Sequence, residues 1–197
     1  MTLLSASQPT LAAQLLGERN LALKAFVVVA GTALLAVSAK LQVPFYPVPV
    51  TMQTLVVLVL GMALGSRMGF ATLALYLAEG MAGLPVFAGT PEKGIGLAYM
   101  MGPTGGYLLG YLIAATLTGW LAECGFDRSL PKAALALLIG NIAIYVPGVI
   151  WLGSVIGWDK PVLAYGLTPF LLGDALKLAL GASLLPLIRA RVPSSKR

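Results

Sequence analysis

The stretch TPFLLGDALKLALGASLLPLI (Thr168–Ile188) is apolar nearly throughout, yet it carries Asp174 and Lys177 near its middle. It is long enough to cross a bilayer, for which about 20 apolar residues suffice. A charge at the centre of such a helix costs about 2.5–3.5 kcal/mol on the insertion scale. Two charges in one span need a physical reason. Asp174 and Lys177 stand three residues apart, which puts them on one helical face. One reading is a structural ion pair that only aids helix packing. The other is the polar floor of a ligand cavity, because intramembrane ionisable groups usually mark substrate or ion pathways. The readings are compatible, since a pair that satisfies itself when empty can open to a ligand. A carboxylate accepts two N–H donors side by side, and an ammonium meets a carboxylate or carbonyl. Such a pair suits a ligand with neighbouring N–H donors at one end.

Similar apolar blocks recur along the 197 residues, 58% of them hydrophobic and only 10% charged, with a mean hydropathy of +0.90. A soluble domain has about 25% charged residues. The expected fold class is all-α: a polytopic membrane protein, with six transmembrane helices bundled beneath apolar outer loops that cover a ligand pocket. A β-barrel would show short alternating segments, which this sequence lacks. The spans are read at Leu21–Leu41, Met52–Gly65, Met68–Gly83, Gly105–Cys124, Pro131–Ile156 and Val162–Ile188. The second and third are short for a hydrocarbon core of about 30 Å. Residues 1–20 are expected as a cytoplasmic N-terminal segment, 21–189 as one membrane domain and 190–197 as a basic cytoplasmic tail. No signal peptide is read at the start; Leu11 and Leu15 suggest the apolar edge of a short interfacial helix.

Thirteen Lys and Arg against seven Asp and Glu give a formal charge of +6. The positives lie mostly at helix ends, which points to topology rather than to nucleic acid. With the N-terminus inside, Arg19, Lys24, Arg67, Arg128, Lys132, Arg189, Arg191, Lys196 and Arg197 fall in inner segments. Only Lys40, Lys93 and Lys160 fall in outer loops. That asymmetry favours both termini cytoplasmic in a cell inner (plasma) membrane, with lipid as surroundings. There is no histidine, and Cys124 is the lone cysteine, so His-based catalysis, His-ligated metals, internal disulfides and cysteine clusters are excluded. No cofactor and no metal are expected. An enzyme would need a nucleophile–base pair, and Ser183 has no readable partner.

Two outer connections carry the rest of the reading. QVPFYPVPVT (Gln42–Thr51) contains Pro44, Pro47 and Pro49 and so is not helical. GLPVFAGTPEKGIGLAYMMGPTGGY (Gly83–Tyr107) is long and glycine-rich, with no nucleotide-binding "GK[ST]". Both are largely apolar, and irregular backbone at membrane depth is tolerated where it lines an enclosed cavity. They are read as two lids over a pocket. Glu79 is read either as snorkelling to the outer interface or as facing the pocket. Asn141 and Tyr145, four residues apart on one face, are read as pocket wall or interhelical glue. Thr51 and Gln53 open the second span, where capping suffices as an explanation. Trp151 and Trp158 are read as interface-belt residues. The small-residue pairs Thr32/Ala36 and Gly106/Gly110 invite helix contact.

The segments PVPVTMQTL, YLAEGMAGLPVFAG, GPTGGYLLGY and GDALK, in this order and spacing, resemble the BioY family. These are the substrate-binding (S) components of energy-coupling-factor transporters for biotin. The likeness runs from the first span to the sixth. It implies a six-helix protein holding biotin near its outer side, Asp174 receiving the ureido N–H groups and Lys177 either touching the ligand or holding Asp174. Phe45, Tyr46, Val86 and Phe87 become candidate walls for the thiophane ring, and Tyr107, in GPTGGYLLGY, a further pocket candidate. The likeness also implies partners: a transmembrane coupling protein and a pair of cytoplasmic ATPases, ATP being used only by these. The family's coupling contact often uses an AxxxA pattern on the first helix. Here Val29 and Val37 flank Ala33, and Thr32/Ala36 is the nearest substitute. TPEKG (Thr90–Gly94) also departs from the expected glycines, and its Lys93 is read as solvated. The competing readings are a small proton- or sodium-coupled transporter using Asp174 and Glu79 as relay carboxylates, and an S component for another vitamin.

Overall fold

The computed structural model describes residues 9–16, 20–44 and 46–191, most of them helical. In chain order the helices are α1 (Leu11–Leu16), α2 (Leu21–Lys40), α3 (Gln53–Leu64), α4 (Ser66–Met81), α5 (Gly96–Met100), α6 (Gly105–Glu123), α7 (Leu130–Ile156), α8 (Val162–Gly166) and α9 (Leu171–Arg191). Between α2 and α3 the proline-rich connection folds into an antiparallel hairpin, β1 (Gln42–Val43) and β2 (Val50–Thr51). Gln42 pairs with Thr51 and Val43 with Val50.

Helices α2, α6, α7 and the Val162–Arg191 segment are long and apolar enough to cross a membrane. The chain is therefore a multi-pass helical membrane protein. At 12 and 16 residues, α3 and α4 reach about 18 and 24 Å at a rise of about 1.5 Å per residue. They are shorter than a bilayer core, as their sequences suggested. The sixth expected span is not one continuous helix. After α8 the chain breaks at Leu167 and makes a 3-10 turn, Thr168–Phe170, before α9 begins. Pro169 lies in that turn and has no N–H with which to continue the α8 ladder. Asp174 consequently lies in the first turn of α9 rather than at mid-helix. There the partial positive charge of the helix start favours a carboxylate.

Helix α6 packs against α3, α4 and α7, and glycines set the approach. A Cβ on Gly110 would fall 2.7–2.8 Å from the backbone O and Cα of Ile144, and one on Gly106 would meet Trp151 and the Pro147 carbonyl. The Gly106/Gly110 pair is thus a helix contact. On the α3 side Gly61 meets the backbone of Ala115. The Thr32/Ala36 pair serves differently, because Thr32 turns inward and donates to Glu79 Oε1 at 3.0 Å, joining α2 to α4.

At the end of the bundle away from the hairpin, Gly65 (φ 86°) makes the tight turn from α3 to α4. Glu123 of α6 accepts from both the backbone N and the hydroxyl of Ser66 at 2.8 Å, capping α4. Arg189 pairs with the fully buried Asp127 at 3.3 Å and donates to the Pro9 carbonyl. Burial pushes the Asp127 carboxyl above its ordinary value, with Arg189 opposing. Helix α1 forms where an interfacial helix was expected, but its two leucines part: Leu11 is buried and Leu15 is exposed.

Candidate functional site

The α8–α9 break, the hairpin and the start of α3 meet around Asp174 and Lys177, both buried. Lys177 Nζ lies 2.9 Å from Asp174 Oδ1. It also donates to the Thr51 carbonyl at 2.7 Å and to Thr54 Oγ1 at 3.0 Å. An ammonium has three donors, and all three are engaged. Asp174 is equally well served. Its Oδ1 accepts from Lys177 and, at 3.4 Å, from Thr54; its Oδ2 accepts from Asn141 Nδ2 at 3.1 Å and from the Tyr145 hydroxyl. Four donors fill the roughly four lone-pair positions of a carboxylate. The cost of burying the pair is offset by this hydrogen bonding, as buried charges require.

Above the pair lies a narrow cavity of about 40 Å³. Lys177, Thr54 and Tyr145 reach its lining, whereas Asp174 and Asn141 sit behind them, against a narrow crevice between α3, α7 and α9. The wall is aromatic: Tyr99, Tyr107, Tyr111, Tyr145 and Phe170. Tyr107 and Tyr145 meet edge to face at 6.2 Å, and Tyr145 tilts against Phe170 at 6.1 Å. The Tyr107 hydroxyl donates to the Gly166 carbonyl at 2.7 Å, tying α6 to α8 just before the break.

Both outer connections reach the cavity, the later one through the expected Tyr107 and each through residues not expected. The hairpin contributes Val48 and Pro49, and the later loop contributes Ala88. Tyr46 is 84% exposed and Phe87 only 1%, and neither lines the cavity. Phe87 is instead an anchor, stacked on Tyr99 at 5.0 Å, edge-on to Tyr76 at 5.4 Å and seated over Gly80. Val86 is half-buried and its carbonyl accepts from the Tyr76 hydroxyl at 3.0 Å. Glu79 is held by Thr32 and does not line the cavity. Phe45 lies outside the described residues. Lys93 is exposed. Trp151 donates to the Gly102 carbonyl at 2.9 Å, a loop-holding role that its sequence position did not reveal.

Gln53, read from sequence as part of a helix start, is nearly fully buried, lines the cavity and donates to Tyr76 at 2.7 Å. Thr54, Tyr99 and Tyr111 also line the cavity, and sequence reasoning missed all three. A signal for Thr54 existed: it lies one residue past Gln53 in an otherwise apolar helix. Among the described residues no group of three or more His, Cys, Asp or Glu side chains could hold a metal ion.

A helical membrane bundle with a hydrogen-bonded ion pair beneath a roofed aromatic cavity defines a membrane-embedded small-molecule-binding protein. The BioY family model matches residues 10–194, and the chain belongs to that family. It is 36% identical over 169 residues to the biotin transporter BioY2 of Lactococcus lactis subsp. cremoris, covering 84% of this chain and 90% of that one. It is 37% identical over 151 residues to the biotin transporter BioY of Thermotoga maritima, covering 77% and 86% respectively. Its fold is similar to the crystal structure of the S-component for biotin from an ECF-type ABC transporter, with a TM-score of 0.74 and 26% identity. That match covers 88% of this chain and 95% of the other.

Proposed function

We propose that this chain is the membrane-embedded biotin-binding component of a vitamin uptake transporter. The observation that carries the reading is the saturated Asp174 behind an aromatic cavity that both outer connections reach. Biotin brings a ureido ring with two N–H donors and one carbonyl, an apolar thiophane and a valerate carboxylate. Its N–H groups can take over acceptor positions on Asp174 from Tyr145 and Thr54, which already border the cavity. Its carbonyl then meets Lys177 or the Tyr145 hydroxyl. The thiophane packs against Tyr107, Tyr145 and Phe170, a sulfur–aromatic contact as well as an apolar one. The protein is a transport component, not an enzyme.

Orientation follows from charge. Arg67, Arg128, Lys132, Arg189 and Arg191 gather at the end away from the hairpin, and the positive-inside rule assigns that end to the cytoplasm. The cavity roof then faces outward, and both termini are assigned to the cytoplasmic side of the cell membrane. Partner ATPases, acting through a transmembrane coupling protein, supply the driving force. The coupling contact is placed on α2, where Val29, Ala33 and Val37 form an exposed stripe spaced by four residues. Thr32 is excluded from it by its bond to Glu79.

The test is retention of radiolabelled biotin by the chain alone in lipid nanodiscs, without ATP or an ion gradient. Retention competed by biotin and not by thiamine or riboflavin is expected. Uptake that follows a pH gradient in the absence of partners would favour the proton-coupled reading instead.

A further inference from the structure

Lys40, the last residue of α2, is placed between the two roofing segments. Its Nζ donates to the Phe87 carbonyl at 2.9 Å, the Thr90 carbonyl at 3.1 Å and Thr90 Oγ1 at 2.9 Å. Three donors meet three neutral oxygens of one turn, which leaves the ammonium no donor for anything else. Lys40 is thus a cation held by carbonyl and hydroxyl dipoles rather than by an acid. Between its two attachment points lies Ala88, which lines the cavity.

The same segment is pinned from within by the Phe87 ring between Tyr76 and Tyr99. The Tyr76 hydroxyl also holds the Val86 carbonyl, and Lys40 is the fastening that reaches the segment from the end of α2. Immediately after Lys40, Leu41 accepts from Met52 N at 3.0 Å, and the β1–β2 pairing follows. Lys40 thus joins the root of the hairpin lid to the edge of the loop lid. The hairpin is in turn held to the cavity floor by the Lys177–Thr51 bond.

We propose that Lys40 is a positioning residue that latches the two lids together and sets the rate at which ligand crosses them. It does not touch the ligand. A latch raises the barrier in both directions, so its loss speeds binding and release together and changes the equilibrium constant little. A residue contacting ligand behaves differently, since its loss speeds release alone.

The inference rests on biotin as the ligand, and two readouts keep it separable from that reading. The first is biotin association and dissociation measured with the purified wild type, Lys40→Met and Lys40→Arg. Lys40→Met keeps the stem and removes the donors; both rate constants should rise about tenfold, the scale of one charge-assisted hydrogen bond. The affinity should stay within about threefold, and Lys40→Arg should restore most of the slow exchange. The second is amide hydrogen exchange in the ligand-free protein, where Phe87–Gly94 should exchange faster in Lys40→Met and at near wild-type rates in Lys40→Arg. Unchanged rate constants with unchanged exchange overturn the latch. So does weakened affinity for biotin with affinity for biotin methyl ester intact, which would make Lys40 a carboxylate contact. A wild type that binds no biotin overturns the ligand reading, and the exchange measurement then still decides the latch.

Discussion

The Lys177 ammonium lies 2.7 Å from the carbonyl oxygen of Thr51. One buried cation therefore joins the floor of the cavity, where it meets Asp174, to the hairpin strand that helps roof it. Floor and roof are parts of one hydrogen-bonded unit. Both charges of the pair are satisfied by the protein's own groups.

Asp174→Asn presents an N–H donor where four donors now converge. It should weaken biotin binding about a hundredfold, the scale of a charge-assisted hydrogen bond worth about 3 kcal/mol. Titration of the purified variant checks this. Near wild-type affinity would remove Asp174 from the ligand site.

Lys177→Met removes the counter-charge of the buried Asp174. Breaking such a pair costs about 3–5 kcal/mol, so the thermal unfolding temperature in detergent should fall sharply. The Asp174→Asn/Lys177→Met double variant should recover part of that loss, because neither charge remains unpaired. A double variant no more stable than Lys177→Met alone would show that the two side chains do not act as a pair.

Much of this site was legible in the sequence, and the reasons differ by residue. Asp174 and Lys177 stand out because charge is rare in apolar helices, and Asn141 and Tyr145 because their four-residue spacing puts them on one face. The helix break at Leu167 was hidden, since a single Pro169 in an apolar run is compatible with a kinked continuous span. So Asp174 was placed at mid-helix when it opens one. The lid residues were misjudged for a related reason: hydrophobicity does not say which side of a loop faces the cavity. Phe87 anchors while its neighbour Ala88 lines. Tyr99 and Tyr111 carry no pattern that separates a cavity wall from ordinary packing.

Glycine substitutions test the helix contacts. Gly110→Ala places a Cβ 2.7–2.8 Å from Ile144 backbone atoms, which cannot retreat without moving α7. A loss of about 1–3 kcal/mol is expected, as for overpacking elsewhere. At Gly173 in α9 a Cβ would meet nothing within 4 Å. Gly173→Ala should therefore be neutral or stabilising by up to about 1 kcal/mol from helix propensity. Melting temperatures of both variants, measured side by side, separate close packing from general intolerance.

At the opposite end of the bundle, burial raises Asp127 above its ordinary value of 3.8 while Arg189 opposes the shift. The folded state then holds this proton more tightly than the unfolded one. The stabilising contribution is fully present below the unfolded value and is lost as pH rises through the raised folded value. Asp127→Asn should flatten that part of the stability profile, read as unfolding temperature between about pH 4 and 7. An unaltered pH slope in the variant would assign the slope to other groups.

A biotin site built on the Asp174 cluster requires that this chain bind biotin by itself. Isothermal titration of the purified protein in detergent with biotin, and with thiamine and riboflavin as controls, tests it most directly. Biotin should bind tightly at one site without ATP, the other two vitamins should not bind, and Asp174→Asn should lose the biotin signal. A folded wild type that shows no heat of binding with biotin, or that binds thiamine or riboflavin as well, would contradict it.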